Sequence, residues 1–550
     1  MKRSVFNTIL LSVVVGLLVT AALSFSWLLR QSPWELRTGG VVRLPRSAMF
    51  IPQQAPLMVS LLVNPDRLEN YAQLGTRPVA RRAAHQKFNQ LRNTLLVGTG
   101  LEYDRDLKGW LGEEVTLAIT TLDRDRNPSN GAQPGYLLIT QAQDAGAAKL
   151  FVQGTFTQAA LITGGELSFE TYQGVELISQ RQPQGRQLSS AAIDDTVLFA
   201  NGPDVLRSAL NTVQAPSLSL AETTDYQSAL NAITEPRIAI AYGNLPDLSA
   251  WLLNDPNASE PELTQLLTLT LGVTPEGLAL QTALPGMNTA SATVPFLTGP
   301  VEALNWIPPQ SELVATGQNL AELWQQIQTE LPSASPINVA ISQWLGQLQA
   351  TLPGLDLAQD IFAWTTEDYA IALLPSTERT FDWLFVARKT PTSSTALAHL
   401  DELAAAQKLS VGKIPLNQTT PTVWTQLVTQ TAKPGQTELN AQVAGAHVDS
   451  GGYILLASSL PALQQALQTR SFLDNPGFQG AIQALPRTNN GYVYADWQHG
   501  KPLFEHQLPL LRLLEASLQP LFEQLRSLTI TSLGREKGVQ RSTVFLDLEA

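Results

Sequence analysis

Paired carboxylates are the first residues in this chain whose types and spacing could do chemistry. Trp110-Leu111-Gly112-Glu113-Glu114 and Trp364-Thr365-Thr366-Glu367-Asp368 each place two adjacent acids just after a tryptophan. Glycoside hydrolysis uses two carboxyl groups, one giving a proton while the other attacks or activates water. Adjacent residues on a strand point to opposite faces, so neither pair converges on one substrate. The simpler reading is a packing tryptophan, then a polar turn that opens strands at Val115 and Tyr369.

Other signals are thinner. Ser410-Val411-Gly412-Lys413 has the Ser-x-x-Lys spacing of acyl-serine enzymes, but their accompanying Lys-Thr-Gly occurs nowhere in the chain. His85, His399, His447, His499 and His506 contain no His-x-x-x-His pair for a metal. Asp123-Arg124-Asp125-Arg126-Asn127 imitates the start of a calcium loop. Pro128 stands where the turning glycine is needed, however, and Pro134 where the bidentate acid belongs. A solvated hairpin loop over residues 123–133 accounts for that run. No Gly-x-Ser-x-Gly elbow, phosphate loop or dinucleotide glycine pattern is present. Sequence alone therefore assigns no catalytic, cofactor-binding or metal-binding residue, and the chain reads as a protein other than an enzyme.

Composition narrows the classes further. Lys plus Arg is 35 and Asp plus Glu 47, a net charge of −12, which argues against a nucleic-acid binder. Cysteine is absent, so disulfides, thiolate metal sites and cysteine nucleophiles are excluded. Charged residues are 15% of the chain, against roughly 25% in an average soluble domain.

The elements that position these motifs occur twice. Ile51-Pro52-Gln53-Gln54 recurs as Ile307-Pro308-Pro309-Gln310. Gly100-Leu101-Glu102, Asp106, Trp110, Glu113-Glu114 and Ala118 recur in order as Gly354-Leu355-Asp356, Asp360, Trp364, Glu367-Asp368 and Ala372. Leu198, Ala200, Leu206 and Ala209-Leu210 match Leu455, Ala457, Leu463 and Ala466-Leu467; Gln227, Ala229, Ala232 and Tyr242 match Gln479, Ala481, Ala484 and Tyr494. A nearly constant displacement of about 254 residues marks an internal duplication, with small drifts from loop insertions.

Boundaries follow: a membrane anchor over residues 1–30, a linker over 31–46, a first repeat over 47–284, a joint over 285–302 and a second repeat over 303–550. Short β-branched or aromatic runs predict strands at 57–63, 115–121, 136–140, 175–179, 196–200, 237–242 and 278–284. Helices are expected at 66–96 (broken near Pro78), 145–156, 203–211 and 225–233. Leu511, Leu514, Leu518, Leu521, Phe522 and Leu525 form one apolar helical stripe, suited to packing on a sheet or to a groove for a lipid or partner helix. The expected fold class is α+β: an N-terminal transmembrane helix, then two tandem similar domains. Each domain would be a mainly antiparallel or mixed sheet with helices on one face.

The apolar run 5–29 follows Lys2-Arg3 and ends at Arg30, long enough for a bilayer core of about 20 helical residues. The basic end would stay cytoplasmic, placing the rest of the chain across the membrane. Cleavage near Thr20-Ala21-Ala22, or a buried core helix, are the alternatives. This hydrophobic start, Ile51–Pro56 in the order Ile-Pro-Gln-Gln-Ala-Pro, the Trp110–Glu113 turn and the strand at 492–496 resemble a cyanobacterial family. That family is described only as membrane-anchored proteins with a domain of unknown function. The resemblance implies a periplasm or thylakoid lumen as the far side and carries over no catalytic residue. The resulting expectation is a single-pass extracytoplasmic binding or scaffold protein with an envelope or thylakoid protein partner. A carrier of lipid or another hydrophobic ligand, and a hydrolase, are the alternatives.

Overall fold

The computed structural model describes residues 36, 39–68, 102–163 (except 128 and 130), 165–181, 187–252, 265–285 (except 275 and 276), 296–330, 342, 346, 355–376, 381–468 (except 417, 434 and 435), 470–501 and 522–548. The strands of the first half are β1 (Leu57–Leu61), β2 (Leu111–Thr121), β3 (Gly135–Ala142), β4 (Glu166–Tyr172), β5 (Val175–Arg181), β6 (Gln187–Ile193), β7 (Thr196–Ala200), β8 (Ala239–Asn244), β9 (Leu266–Val273) and β10 (Gly277–Leu284). Those of the second half are β11 (Leu313–Gln318), β12 (Asp368–Leu374), β13 (Asp382–Arg388), β14 (Ser410–Lys413), β15 (Thr422–Lys433), β16 (Gln436–Ser450), β17 (Tyr453–Ala457), β18 (Gly491–Asp496), β19 (Leu525–Glu536) and β20 (Val539–Leu548). The helices used below are α1 (Ala145–Thr163), α2 (Pro203–Gln214), α3 (Thr224–Ala232), α4 (Ser393–Ala406), α5 (Leu460–Ala466) and α6 (Pro476–Ala484).

All these strands join one 20-stranded antiparallel sheet. Through the first half the order is β4-β5-β6-β7-β3-β2-β1-β8-β9-β10. Through the second it is β14-β15-β16-β17-β13-β12-β11-β18-β19-β20. The two orders are the same, and they meet where β10 pairs antiparallel with β20, from Gly277 opposite Asp547 to Leu284 opposite Gln540. Two corresponding strands paired antiparallel are related by a local pseudo-two-fold axis through the sheet.

This arrangement corrects the expected fold class. The halves are not two tandem domains with separate sheets. Each half-sheet would otherwise end in a strand with an unpaired backbone edge, and β10 and β20 satisfy one another's ladder. Helices on one face is also wrong. Strands such as β12, β13 and β17 are buried along nearly their whole length, so both faces need cover. In the first half, α2 and α3 pack over one core and α1 belongs to the other. In the second half α5 and α6 cover one face and α4 the opposite one. The transmembrane run at 5–29, most of the helix expected at 66–96 and most of the 508–525 stripe lie outside the described residues. Among the described residues no helix is long and apolar enough to cross a membrane.

Candidate functional site

The repeated tryptophan turn is built the same way in both halves. A π-helical turn, Tyr103–Leu107 or Leu357–Ile361, precedes it. The Asp106 carboxylate accepts the Glu102 N–H at 2.8 Å, and Asp360 accepts that of Asp356 at 2.8 Å. The Trp110 indole N–H then donates to the Asp106 carbonyl at 2.7 Å, and Trp364 to the Asp360 carbonyl at 2.7 Å. Both indoles are 6% exposed, packed against Phe151 and Phe385 respectively.

The acids that follow divide by side of the strand. Glu114 is buried and accepts the Arg46 and Ser47 N–H groups at 3.0 and 2.9 Å, with the Ser47 hydroxyl as a further donor. Asp368, also buried, accepts the Ala303 N–H at 3.1 Å, the Tyr453 hydroxyl at 2.9 Å and Arg388 Nε–H. Each thus takes free N–H groups at the start of a 3-10 turn, Arg46–Phe50 or Glu302–Trp306. Hydrogen bonds that Arg388 donates to Glu302 and Asp368 hold its guanidinium well above its ordinary pKa. Glu113 points the other way, 3.1 Å from Arg67 and 3.8 Å from Arg43, and Glu367 is exposed. The neighbouring acids therefore meet on no common substrate position.

The remaining sequence candidates stay apart. Ser410 and Lys413 lie on β14, exposed throughout and at one end of the sheet, pointing to opposite faces. In the 123–133 loop the polar side chains close the loop itself: Asp123 accepts the Gln133 N–H, Asp125 that of Asn127, and Asn127 that of Ser129. His399, His447 and His499 face three different acids, Asp360, Asp401 and Asp496. His85 and His506 lie outside the described residues, among which no group of three metal-ligating side chains forms. One cluster escaped the sequence reading. Asp401 on α4 accepts the Trp424 indole N–H at 2.7 Å and lies 3.0 Å from His447 Nε2, uniting residues too far apart in the chain for any spacing to reveal.

A larger feature lies where the halves meet. Directly paired residues share a face, so the registers define two rows across the central strands. One row runs Ile240, Thr270, Gln281, Thr543, Thr531, Tyr492. It faces α3 and α6, and its threonines are at most 3% exposed. The opposite row runs Leu271, Leu280, Val544, Ile530, Val493. Beside it stand Val273, Leu278, Leu546 and Leu528. These side chains are all partly exposed, and Val493 is 39% exposed. Hydroxyls line the covered face, and aliphatic side chains the other, where Leu528 and Leu546 also lean on one core and Leu271 and Val273 on another, with Leu280 and Val544 between them.

Comparison with known proteins adds a family and little else. No curated protein matches the chain. One solved structure, "Structure of crystal form I of TP0453", aligns with 45% of this chain and 81% of its own, at 9% identity and a TM-score of 0.25. A likeness that slight bears on neither fold nor function. The family model for proteins of unknown function DUF3352 matches residues 10–548, nearly the whole chain, and the protein belongs to that family.

Proposed function

We propose that the protein is a non-catalytic binding protein that receives an apolar partner on the outer face of its central strands. The observation that carries this reading is that both halves contribute aliphatic side chains to one continuous, partly exposed surface. Covering apolar surface is worth roughly 25 cal/mol per Å², so a patch spread over five strands favours association strongly. The carboxylates that first suggested a hydrolase support the same choice, since Glu114 and Asp368 hold backbone at the starts of two turns. Carriage of a lipid or other hydrophobic ligand on the same face is the second reading, favoured by its aliphatic composition. The test is partner recovery from cells expressing Leu280→Gln together with Val544→Gln, the facing pair at the seam. Recovery of a bound protein should drop severely while the urea midpoint holds. Unchanged recovery of every bound protein and lipid would refute the proposal, and selective loss of lipid would favour the second reading.

A further inference from the structure

The two halves differ at one buried place. Val41 pairs with Arg237 in an isolated bridge just before β8, and Leu297 pairs with Asn489 in the corresponding bridge just before β18. Asn489 is fully buried and its amide is spent: Nδ2 donates to the Pro486 and Arg487 carbonyls and to the Tyr492 hydroxyl, and Oδ1 accepts the Gly491 N–H. Arg237 is 2% exposed, yet neither its Nε nor its Nη1 finds an acceptor among the described residues.

A second exchange lies beside the first. In the second half the Phe478 ring packs edge-on to Tyr494. In the first half Tyr226 on α3 takes that role against Tyr242, with ring centroids 5.1 Å apart. The Tyr226 hydroxyl is buried and without a partner among the described residues. Tyr242 stands opposite Thr268, another buried and unpartnered hydroxyl. Relative to its copy, the first half has therefore gained a guanidinium and a phenol, both hydrogen-bond donors, in one layer.

Buried donors on a cation are costly unless an acceptor meets them. Nearby acids are engaged elsewhere: Glu235 lies 3.5 Å from Arg541 and accepts the Thr234 N–H, while Glu114 holds Arg46 and Ser47. Burial pulls the Arg237 pKa below its ordinary value against the opposing influence of Glu235 and Tyr226, and burial, with Glu114 adding to it, pushes Tyr226 up, so its hydroxyl remains a donor at neutral pH.

We propose that Arg237 and Tyr226 form a binding site for a small oxyanion, a carboxylate or an inorganic phosphate. The guanidinium supplies charge and two N–H donors, and the phenol supplies an O–H. The site belongs to the first half alone, because Asn489 and Phe478 offer neither in the second.

The test is thermal unfolding of the full chain in increasing sodium phosphate or sodium acetate, with sodium chloride holding ionic strength constant. The wild type should show a saturable rise in Tm with at least one of these anions. Arg237→Asn, which installs the residue used by the second half, should abolish that rise. Tyr226→Phe should raise the half-saturating concentration by about three- to tenfold, the loss of one hydrogen bond. A wild-type Tm indifferent to both anions would overturn the site. So would a rise that survives in Arg237→Asn. Should that variant fail to fold, an unchanged half-saturating concentration in Tyr226→Phe would reject the assignment equally.

Discussion

Leu280 of the first half stands directly opposite Val544 of the second, at the seam where the half-sheets pair, and both side chains are partly exposed. On the other face of the same two strands Gln281 stands opposite Thr543, under α3 and α6. Two neighbouring residue pairs thus set the polarity of the whole central surface. A single-residue slip between β10 and β20 would exchange the two faces, so the register itself decides which side chains face outward.

The tryptophan turns are structural anchors, and their loss should be measurable. Trp110→Ala or Trp364→Ala should each cost about 3–5 kcal/mol in urea unfolding, the usual range for an emptied aromatic site. Trp110→Phe keeps most of the packing and loses the bond to the Asp106 carbonyl, at about 1 kcal/mol. Equal costs for the Ala and Phe variants would show that the ring contributes no packing.

The adjacent acids should separate cleanly. Glu114→Gln replaces a buried charged acceptor of two N–H groups and should cost about 1–3 kcal/mol. Glu113→Gln weakens partly exposed ion pairs and should cost under about 1 kcal/mol. Matching chemical denaturation curves for the two variants would contradict the assignment of one acid to each side of the strand.

Alkaline stability follows from the buried phenols. Burial pushes Tyr494 up to about 12, with Asp496 adding to it, and moves Tyr226, Tyr242, Tyr369 and Tyr453 upward as well. An unfolded tyrosine titrates near about 10, so the stability these groups carry is complete below that pH. It declines as pH rises through the folded values. Urea midpoints should therefore fall steadily above about pH 10, and Tyr494→Phe should flatten the fall. A midpoint independent of pH in that range would show that these phenols ionise freely in the fold.

Much of the local architecture was legible because it repeats. The Trp, Asp and acid positions at 106–114 return at 360–368, and the hydrogen bonds of Asp106 with Trp110 return with them. Strand alternation separates Glu113 from Glu114, and the structure has the first partly exposed and the second buried. Strand β9 was missed, although Leu266–Val273 alternates leucine with threonine. Such alternation shows that a strand has two unlike faces and leaves open which one is covered. Nor does it reveal that β10 finds its neighbour in β20, some 260 residues away, because pairing across that span leaves no local periodicity. The Asp401, Trp424 and His447 cluster is hidden for the same reason.

Partner binding on the outer face requires that its leucines be covered in the cell. A photoreactive residue placed at Leu280, compared with one at Leu150 on α1, which is 74% exposed and away from the seam, tests this directly. On irradiation of intact cells the Leu280 probe should give a discrete adduct with one protein, identified by mass spectrometry, while the Leu150 probe gives background. Adducts no stronger at Leu280 than at Leu150, in a well-expressed and folded chain, would contradict the proposal that this face binds a partner.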